Sequence, residues 1–402
     1  MTLDVATVRS HFPALAAGTA HFDGAGGSLT PDVVARAVQD TLVSSIANRG
    51  SVTAAERTAE AVVQAARAAM ADLLGADPQG IVFGRSMTQL TFDFARTAAK
   101  SWGPGDEIVV SRLDHDANVR PWVIAAQSAG TTVRWIDFDP QSGELTVDHV
   151  SEQVNDRTRL VALTGASNLI GTRPDLSAVA DVVHGVGALL YVDGVHLSAH
   201  AGIDVPSMGA DFFACSPYKF FGPHCGVLAA APQLLETLRP DKLLPSTDAV
   251  PERFELGTLP YELLAGTTAA VHFIAGLGEA GQDSVEQRRA RIVASMSAVE
   301  AHEDALRDRL ERGLADLRPV TVYSRAAHRT PTVLMTFADR SVADAYRFLA
   351  TQNINAPAGT FYAYEPARRL GLDGGGLRAG LSAYNDDDDV DRLLEALTSF
   401  LS

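Results

Sequence analysis

Short apolar runs alternate with segments of helical periodicity through the middle of the chain. The seven apolar runs are IVFG, EIVVSRLD, TTVRWIDFD, RLVALTGAS, LLYVDG, DFFACSPYK and GVLAAA. The helical segments between them fall at about 88–101, 117–129, 147–153 and 175–187. Near-continuous apolar strands separated by helices predict an α/β fold whose mainly parallel, seven-stranded sheet is covered on both faces.

Different patterns flank this central region. A Gly-rich bend, HFDGAGGSLTP, is followed by helices predicted over 32–47 and 54–74. After the last apolar run, a long helix is predicted over 284–316, then strands PTVLMTF and LRAGLSAY and a final helix over 387–400. We therefore predict a large domain of residues 21–275 and a smaller α+β domain. The smaller domain would comprise residues 1–20 and 276–402, connected through the long helix.

Composition narrows the possible partners. The 402 residues suit a large core plus a smaller lobe, and a net charge of −16 argues against nucleic acid or an anionic membrane as a partner. Two cysteines, Cys215 and Cys225, are too few for a disulfide framework or a Cys-rich metal site. The acids Asp386 to Asp389 begin a predicted helix, where they complement its dipole, so we expect no metal there.

The first residues lack a signal-peptide pattern and no apolar run approaches about 20 residues, so we expect a cytoplasmic location.

Two of the seven runs end in chemically informative residues. Asp193 closes LLYVD, where a buried acid is costly unless it is paired. Lys219 closes DFFACSPYK in an aromatic setting, where desolvation lowers the pKa of an amine and suits it to imine formation. In parallel sheets, ligands collect at the carboxyl ends of the strands. An activated lysine beside a buried acid predicts pyridoxal 5′-phosphate (PLP), with Lys219 as its imine partner and Asp193 at the ring nitrogen.

A phosphate site is expected where the first strand turns into a helix. IVFGRSMTQ places Ser86, Met87 and Thr88 at the helix start, where free amides and hydroxyls can hold an anion. Ser216, three residues before Lys219, could add a contact. The alternative is ordinary helix capping, because Ser and Thr are common at any helix start.

The run after the third helix ends in Asp114-His115-Asp116, for which three interpretations are open. They are a metal cluster, a solvated histidine beside a capping acid, and a histidine stacked on the PLP ring that shuttles protons. The metal is the weakest because no third ligand follows at helical spacing. Asn168 follows the fourth run, RLVALTGAS, and is either a turn residue or a donor to the cofactor's phenolic oxygen or a substrate carboxylate.

Two further residues complete the expected site. His196, three residues after Asp193, could reach the ring oxygen of the cofactor. Arg378 follows a Gly-rich bend, and Arg is the preferred bidentate partner of a carboxylate, so it is the expected clamp for an amino acid. The alternative for Arg378 is a surface salt bridge.

Taken together, RSMTQ, DHDANVRPW, ASNLIGT, VDGVH, SPYKFFGP, FELGT and LRAGLSAYN resemble the PLP-dependent class V aminotransferase family of fold type I. Within it they are similar to the group II cysteine desulfurase-like branch, in order from about His21 to the C-terminus. The resemblance implies a fold-type-I PLP transferase that forms homodimers with shared active sites. Thr258 of FELGT would reach the partner's cofactor phosphate. The roles implied for the other positions are ring stacking by His115, pyridinium pairing by Asp193, the imine at Lys219, and carboxylate binding by Arg378 with Asn168 nearby.

The chain departs from the desulfurase pattern at three places. His196 stands where desulfurases usually have Gln, and Tyr218, an expected cofactor contact, stands where they usually have His. The small-lobe loop INAPAGTFYAYEPARRLGL lacks the catalytic cysteine and carries Phe361 and Tyr362 instead. Because persulfide formation needs a thiolate, desulfurase activity of the standard kind is not expected. The loop resembles a subgroup with G-x-[FY]-Y-A.

The expected function is a PLP-dependent enzyme that acts on a small amino acid through an external aldimine. Lys219 would move the Cα proton, and C–S or other β-elimination chemistry would follow. Transamination and epimerisation share these first steps and are the alternatives. A hypothesis from a different class is a PLP-binding partner protein without turnover. Substrate side-chain recognition is expected from loops 24–28, 48–52 and 357–364, some contributed by a partner subunit.

Overall fold

The computed structural model describes residues 3–278 and 288–402. The strands in the described residues are β1 (Ala20–His21), β2 (Ile81–Gly84), β3 (Glu107–Ser111), β4 (Thr132–Ile136), β5 (Thr158–Thr164), β6 (Leu189–Asp193), β7 (Phe212–Cys215), β8 (Gly226–Ala230), β9 (Val320–Val322), β10 (Thr332–Phe337), β11 (Ile354–Asn355), β12 (Ala358–Gly359) and β13 (Gly376–Gly380). The α-helices are α1 (Val5–Ser10), α2 (Asp32–Leu42), α3 (Ala54–Leu74), α4 (Met87–Ala99), α5 (Arg120–Ala129), α6 (Val147–Ser151), α7 (Leu176–Gly185), α8 (Pro232–Thr237), α9 (Tyr261–Gly276), α10 (Arg288–Ala315), α11 (Val342–Thr351), α12 (Tyr364–Arg369) and α13 (Asp387–Leu401).

The seven predicted apolar runs form one sheet in the order β2-β8-β7-β6-β5-β3-β4. β8 is antiparallel to both of its neighbours, and the pairs among β3, β4, β5, β6 and β7 are parallel. Alternate residues of each strand enter two different cores, one containing α3, α7 and α9 and the other containing α4 and α5. Because both faces are covered, the strands are apolar at nearly every position. The predicted mainly parallel α/β fold is confirmed.

Of the two long helices before the large sheet, α3 has the bounds that its sequence predicts, whereas α2 is shorter than predicted. α3 has the predicted bounds because Thr53 and Glu56 form a capping box and Gly75 ends the helix with a left-handed φ of 65°. α2 ends at Leu42, so the prediction of helix to residue 47 was wrong. Residues 42–45 are exposed, and a longer helix would have had no apolar face to bury there.

A second, antiparallel sheet has the order β12-β13-β10-β9 and packs in a core with α10, α11 and α13. The predicted strand PTVLMTF contains β10, and LRAGLSAY overlaps β13 over residues 377–380, although the strand ends at Gly380 and not at Tyr384. The last predicted helix is α13. The predicted long helix is α10, although its residues 284–287 lie outside the described residues. The domain division at residues 275 and 276 stays a prediction. Within residues 3–278 and 288–402, no helix combines the length and the apolar character needed to cross a membrane.

Candidate active site

A cavity of about 440 Å³ lies at the carboxyl ends of β5, β6 and β7, where residues from both sheets meet. It brings together all of the predicted site residues except Thr258. The predicted residues that line it are Ser86, Met87, Thr88, His115, Asn168, Asp193, His196, Ser216, Tyr218, Lys219 and Arg378. Residues from the predicted recognition loops 24–28 and 357–364 also line it, whereas none from loop 48–52 does. A ligand site at strand ends is the usual arrangement in open α/β sheets.

One wall of the cavity is the N-terminus of α4. Ser86 caps this helix by accepting a hydrogen bond from the Gln89 N–H at 3.1 Å, and Ser216 Oγ accepts from the Met87 N–H at 3.4 Å. β8 passes directly behind this turn at Gly226, where a Cβ would lie 2.3 Å from the Ser86 carbonyl carbon. Backbone amides and hydroxyls at the N-terminus of a 13-residue helix form an anion site, which fits a phosphate group.

Lys219 lies at the end of a single 3-10 turn that follows β7, and it is only 9% exposed. Its Nζ donates hydrogen bonds to the carbonyl oxygens of Ala25 at 2.6 Å and Gly26 at 2.8 Å. Burial, followed by the positive charge of Arg378, lowers the pKa of the Lys219 amine to about 7, although nearby acids act in the opposite direction. An amine with this pKa is substantially unprotonated near neutral pH, as a nucleophile and proton acceptor must be.

Asp193 is the last residue of β6 and is buried. Its Oδ1 accepts a hydrogen bond from the Val195 N–H at 3.0 Å. Burial raises the pKa of this carboxyl group to about 6, although the Val195 N–H and Lys219 oppose the rise. A buried carboxylate is costly without a cationic partner, and a protonated pyridine nitrogen is a partner of the right charge.

His115 lines the cavity as a neutral ring. Its Nδ1 accepts a hydrogen bond from the Ala117 N–H at 3.0 Å, which leaves the ring proton on Nε2. Burial lowers the pKa of His115 to about 4, assisted by the charge of Lys219. The neighbouring acids are engaged elsewhere, since Asp114 contacts Ser111 and Asn118 and Asp116 pairs with Arg120. Across residues 3–278 and 288–402, no group of three or more His, Cys, Asp or Glu side chains is arranged to hold a metal ion.

Three residues of the cavity wall, Asn168, His196 and Arg378 (at Nε), carry buried polar atoms that lack a partner among the described residues. Asn168 donates from Nδ2 to the Phe361 carbonyl at 3.0 Å, and its Oδ1 is unpaired. His196 Nε2 lies 2.9 Å from the hydroxyls of both Thr330 and Thr332, and its Nδ1 is unpaired. Buried polar groups are seldom left unpaired, so the unpaired atoms of Asn168 and His196 fit a site completed by the polar substituents of a cofactor such as PLP.

Arg378 on β13 is 1% exposed, so the interpretation of this residue as a surface salt bridge was wrong. Its Nη1 donates to the Asn168 carbonyl at 3.0 Å, and its Nη2 donates to Asp23 Oδ1 at 2.8 Å. The ring of Phe361 covers the guanidinium, with 3.7 Å between Cζ and the ring centroid. The arginine is therefore fixed in orientation at the cavity wall, where its charge is paired with the Asp23 carboxylate.

The loop after β12 places aromatic side chains in the cavity. Phe361 and Tyr362 have left-handed φ values of 54° and 56°, and the Tyr362 carbonyl accepts from the Asp116 N–H at 2.8 Å. Neither cysteine lies here, because Cys215 is on β7 and Cys225 precedes β8. Burial raises the pKa of both thiols, that of Cys225 to about 11, so neither side chain is a thiolate at neutral pH.

Loop 24–28 was expected from the sequence to recognise the substrate side chain, and the binding of Lys219 by the carbonyls of Ala25 and Gly26 was not predicted. Thr258 is exposed and lies in a separate cavity of about 240 Å³ that also contains Arg85 and Leu256. Within its own chain, Thr258 is therefore not part of the Lys219 site.

The aminotransferase class-V family model matches residues 20–393, and the chain belongs to this family. It is 33% identical to the uncharacterized protein MT3887 of Mycobacterium tuberculosis (strain CDC 1551 / Oshkosh), covering 99% of this chain and 100% of that protein. It is 31% identical to cysteine desulfurase CsdA of Escherichia coli (strain K12), covering 98% and 96% of the two chains. The crystal structure of that E. coli CsdA in its S-sulfonic acid form has a TM-score of 0.87 at 29% identity, with 99% of this chain and 98% of that chain covered.

The fold and the family membership identify the protein as a PLP-dependent enzyme. Within the class V family, the chain is cysteine desulfurase-like in sequence and in structure.

Proposed function

We propose that this protein activates a small amino acid for C–S or other β-elimination chemistry. The observation that carries the proposal is the meeting of three side chains in one cavity. They are the Lys219 amine with a pKa of about 7, the buried carboxyl group of Asp193, and the buried guanidinium of Arg378.

PLP, when bound, supplies an electron sink for negative charge at the amino acid's Cα. The turn from Ser86 to Thr88, with Ser216, would hold its phosphate, and the charge of Asp193 would face its ring nitrogen. Arg378 would bind the substrate carboxylate with Asn168 beside it, and Lys219 Nζ would remove the Cα proton and return a proton to the product. Phe361 excludes water from the guanidinium face, which strengthens a carboxylate–arginine pair.

The fate of the leaving group follows from the loop after β12. In the described part of the chain, both thiols are buried outside this loop. A sulfur that leaves Cβ therefore has no protein thiolate to capture it, and the proposal is that the leaving group departs as a small molecule. This separates the reaction from transfer through an enzyme-bound persulfide.

The test is a panel of amino acids, including cysteine, serine and alanine, given to the PLP-loaded enzyme. Release of sulfide or another Cβ substituent, with ammonia and a keto acid in equal amounts, supports elimination. A keto acid formed with stoichiometric pyridoxamine phosphate would replace the proposal with transamination, and racemised alanine would replace it with epimerisation. An absorbance near ~420 nm that no amino acid changes would identify a binding protein without turnover.

We also infer that the active site is shared in a homodimer through Thr258. The exposure of Thr258, beside exposed Leu256 and away from its own chain's Lys219 cavity, supports a reach into a partner. A mixture of Lys219→Ala and Thr258→Ala subunits tests this, since each variant alone lacks one function. Restored PLP-dependent turnover in the mixture supports sharing across the dimer, and no restoration contradicts it. A cytoplasmic location stays a prediction.

A further inference from the structure

A buried ion pair connects α3 to the segment that carries Thr258. Glu255 follows the 3-10 turn Glu252–Phe254, and its partner Arg67 is on α3. Arg67 Nη1 and Nη2 donate to Glu255 Oε1 and Oε2 at 2.9 and 2.8 Å, and the two side chains are 3% and 4% exposed. A bidentate pair of this kind fixes both the distance and the direction between its partners. The carboxylate of Glu255 is therefore held in one position.

The same two side chains also bind the main chain of β2. The Phe83 N–H donates to Glu255 Oε1 at 2.9 Å, and the Ile81 carbonyl accepts a hydrogen bond from Arg67 Nη1. β2 is an edge strand of the large sheet, with β8 as its neighbour. An edge strand has main-chain groups that no second strand satisfies. The ion pair supplies partners for two of these groups and so anchors β2.

β2 leads directly into the phosphate turn, Ser86–Thr88. The strand ends at Gly84, and Ser86 already caps α4, so a single residue lies between them. β8 passes behind the turn at Gly226, where an added Cβ would lie 2.3 Å from the Ser86 carbonyl carbon. Anion binding at a helix N-terminus depends on the direction of the free amides. The position of β2 therefore determines where those amides point.

Stability alone is a weak reason for this ion pair. Two charges that are buried lose their hydration, and apolar residues of similar volume often stabilise a fold equally well. An apolar pair, however, could not bind the N–H of Phe83 and the carbonyl of Ile81. The distinctive contribution of Arg67 and Glu255 is thus the fixed position of β2.

We propose that Glu255, held by Arg67, is a positioning residue for the phosphate turn of its own chain. The role concerns the binding of a phosphate group alone, so it goes beyond the proposed function and holds for any reaction that follows. Loss of the carboxylate should weaken ligands that carry a phosphate and should spare ligands that lack one.

The test compares PLP with pyridoxal, which lacks the phosphate. Titration of PLP-free protein, followed by absorbance, gives the apparent Kd of each ligand in wild type and in Glu255→Gln. We expect Glu255→Gln to weaken PLP by about tenfold and pyridoxal by less than about twofold, because the amides of the turn are no longer held toward the phosphate. Equal weakening of both ligands would show a merely structural role, and unchanged PLP affinity would also overturn the inference.

Two further variants separate positioning from the effect of an unpaired charge. Arg67→Met combined with Glu255→Leu removes both charges, so no buried charge is left without a partner, while β2 still loses its anchors. This double variant should show the same selective loss of PLP, and normal PLP affinity in it would overturn the inference. Glu252→Gln is the matched control, because Glu252 pairs with Arg67 at 3.6 Å and with Arg49 at 3.2 Å, and its replacement leaves Glu255 in contact with β2. It should change neither ligand.

Subunit mixing distinguishes the turn from Thr258, which the shared-site proposal places at the partner's phosphate. Glu255→Gln subunits are combined with an excess of Lys219→Ala subunits. Only sites with Lys219 take up label on borohydride reduction, and in the mixed dimer these sites keep the altered turn but receive Thr258 from a subunit with intact Glu255. The PLP affinity of labelling should stay weak. Recovery would show that Glu255 acts through Thr258 and not through the turn of its own chain.

Inorganic phosphate gives a readout that needs neither PLP nor turnover. A ligand that binds the folded state raises Tm, so phosphate should raise the Tm of PLP-free wild type and Glu252→Gln more than that of Glu255→Gln, relative to chloride at equal ionic strength. An equal rise in all three proteins would contradict the role. If wild type neither prefers PLP over pyridoxal nor responds to phosphate, the phosphate turn is wrongly assigned and the role of Glu255 falls with it. If wild type does both and Glu255→Gln does both equally, only the role of Glu255 fails.

Discussion

The pH dependence of Lys219 gives the most direct test of the site. Burial and Arg378 lower the pKa of this amine from an ordinary 10.5 to about 7. Because the pKa is lowered, the amine loses its proton as the pH rises through about 7 and is reactive above that value. At pH 8 an amine with a pKa of 7 is about 90% unprotonated, whereas one with a pKa of 10.5 is about 0.3% unprotonated. The reactive fraction of Lys219 should therefore exceed that of an ordinary lysine by about 300-fold.

The assay is a brief exposure of PLP-free protein to PLP from pH 5 to pH 10, followed by borohydride reduction and peptide mass analysis. The chain has only three lysines, Lys100, Lys219 and Lys242, so each labelled peptide is unambiguous. Labelling should concentrate on Lys219 with a midpoint near pH 7, and Lys219→Ala should lose it. A midpoint near 10.5, or label spread evenly over the three lysines, would refute the reasoning.

Three further predictions address the rest of the site. Arg378→Ala should raise KM for amino acids by about a hundredfold while leaving cofactor absorbance intact, because a buried carboxylate partner is lost; an unchanged KM would remove it from the substrate site. Replacing both Cys215 and Cys225 by Ala should leave release of the Cβ substituent intact, measured as sulfide from cysteine, because neither thiol is a thiolate; abolished release would contradict this. Gly226→Ala should weaken PLP retention, measured by dialysis, because the new Cβ would lie 2.3 Å from the Ser86 carbonyl carbon. Gly103→Ala is the control and should retain PLP, because no atom lies within 4 Å of its Cβ; equal retention in both variants would argue against the phosphate site at the Ser86 turn.

The sheet and its strand ends were predictable because their signals are local. Apart from the edge strand β4, the strands of the large sheet are mostly buried on both faces, so each appears in the sequence as an apolar run. The residue after the run is positioned by the end of the strand. Asp193 and Lys219 were located in this way, and the turn at Ser86 followed from the change to helical periodicity. The α2 boundary was mispredicted because composition alone did not reveal that residues 42–45 would be solvent-exposed.

Contacts between distant segments could not be predicted in the same way. Ala25 and Lys219 are separated by 194 positions along the chain, and their hydrogen bond depends on how β13 and the turn after β7 meet. The cover of Arg378 by Phe361 likewise depends on two left-handed residues, a conformation that neither residue type indicates. The sequence therefore indicates which residues are candidates for catalysis and binding, whereas the contacts between their atoms depend on tertiary packing.

Two hydrogen bonds to its main chain anchor the loop after β12. The carbonyls of Phe361 and Tyr362 accept hydrogen bonds from Asn168 and Asp116, and any amino acid can supply a carbonyl. The side chains at positions 361 and 362 are thus exchangeable without loss of these two anchors, provided that the left-handed backbone is retained. For protein engineering, a thiol, an acid or a small residue introduced at either position would enter the same cavity. New specificities should be sought at these two positions before the strand ends are altered.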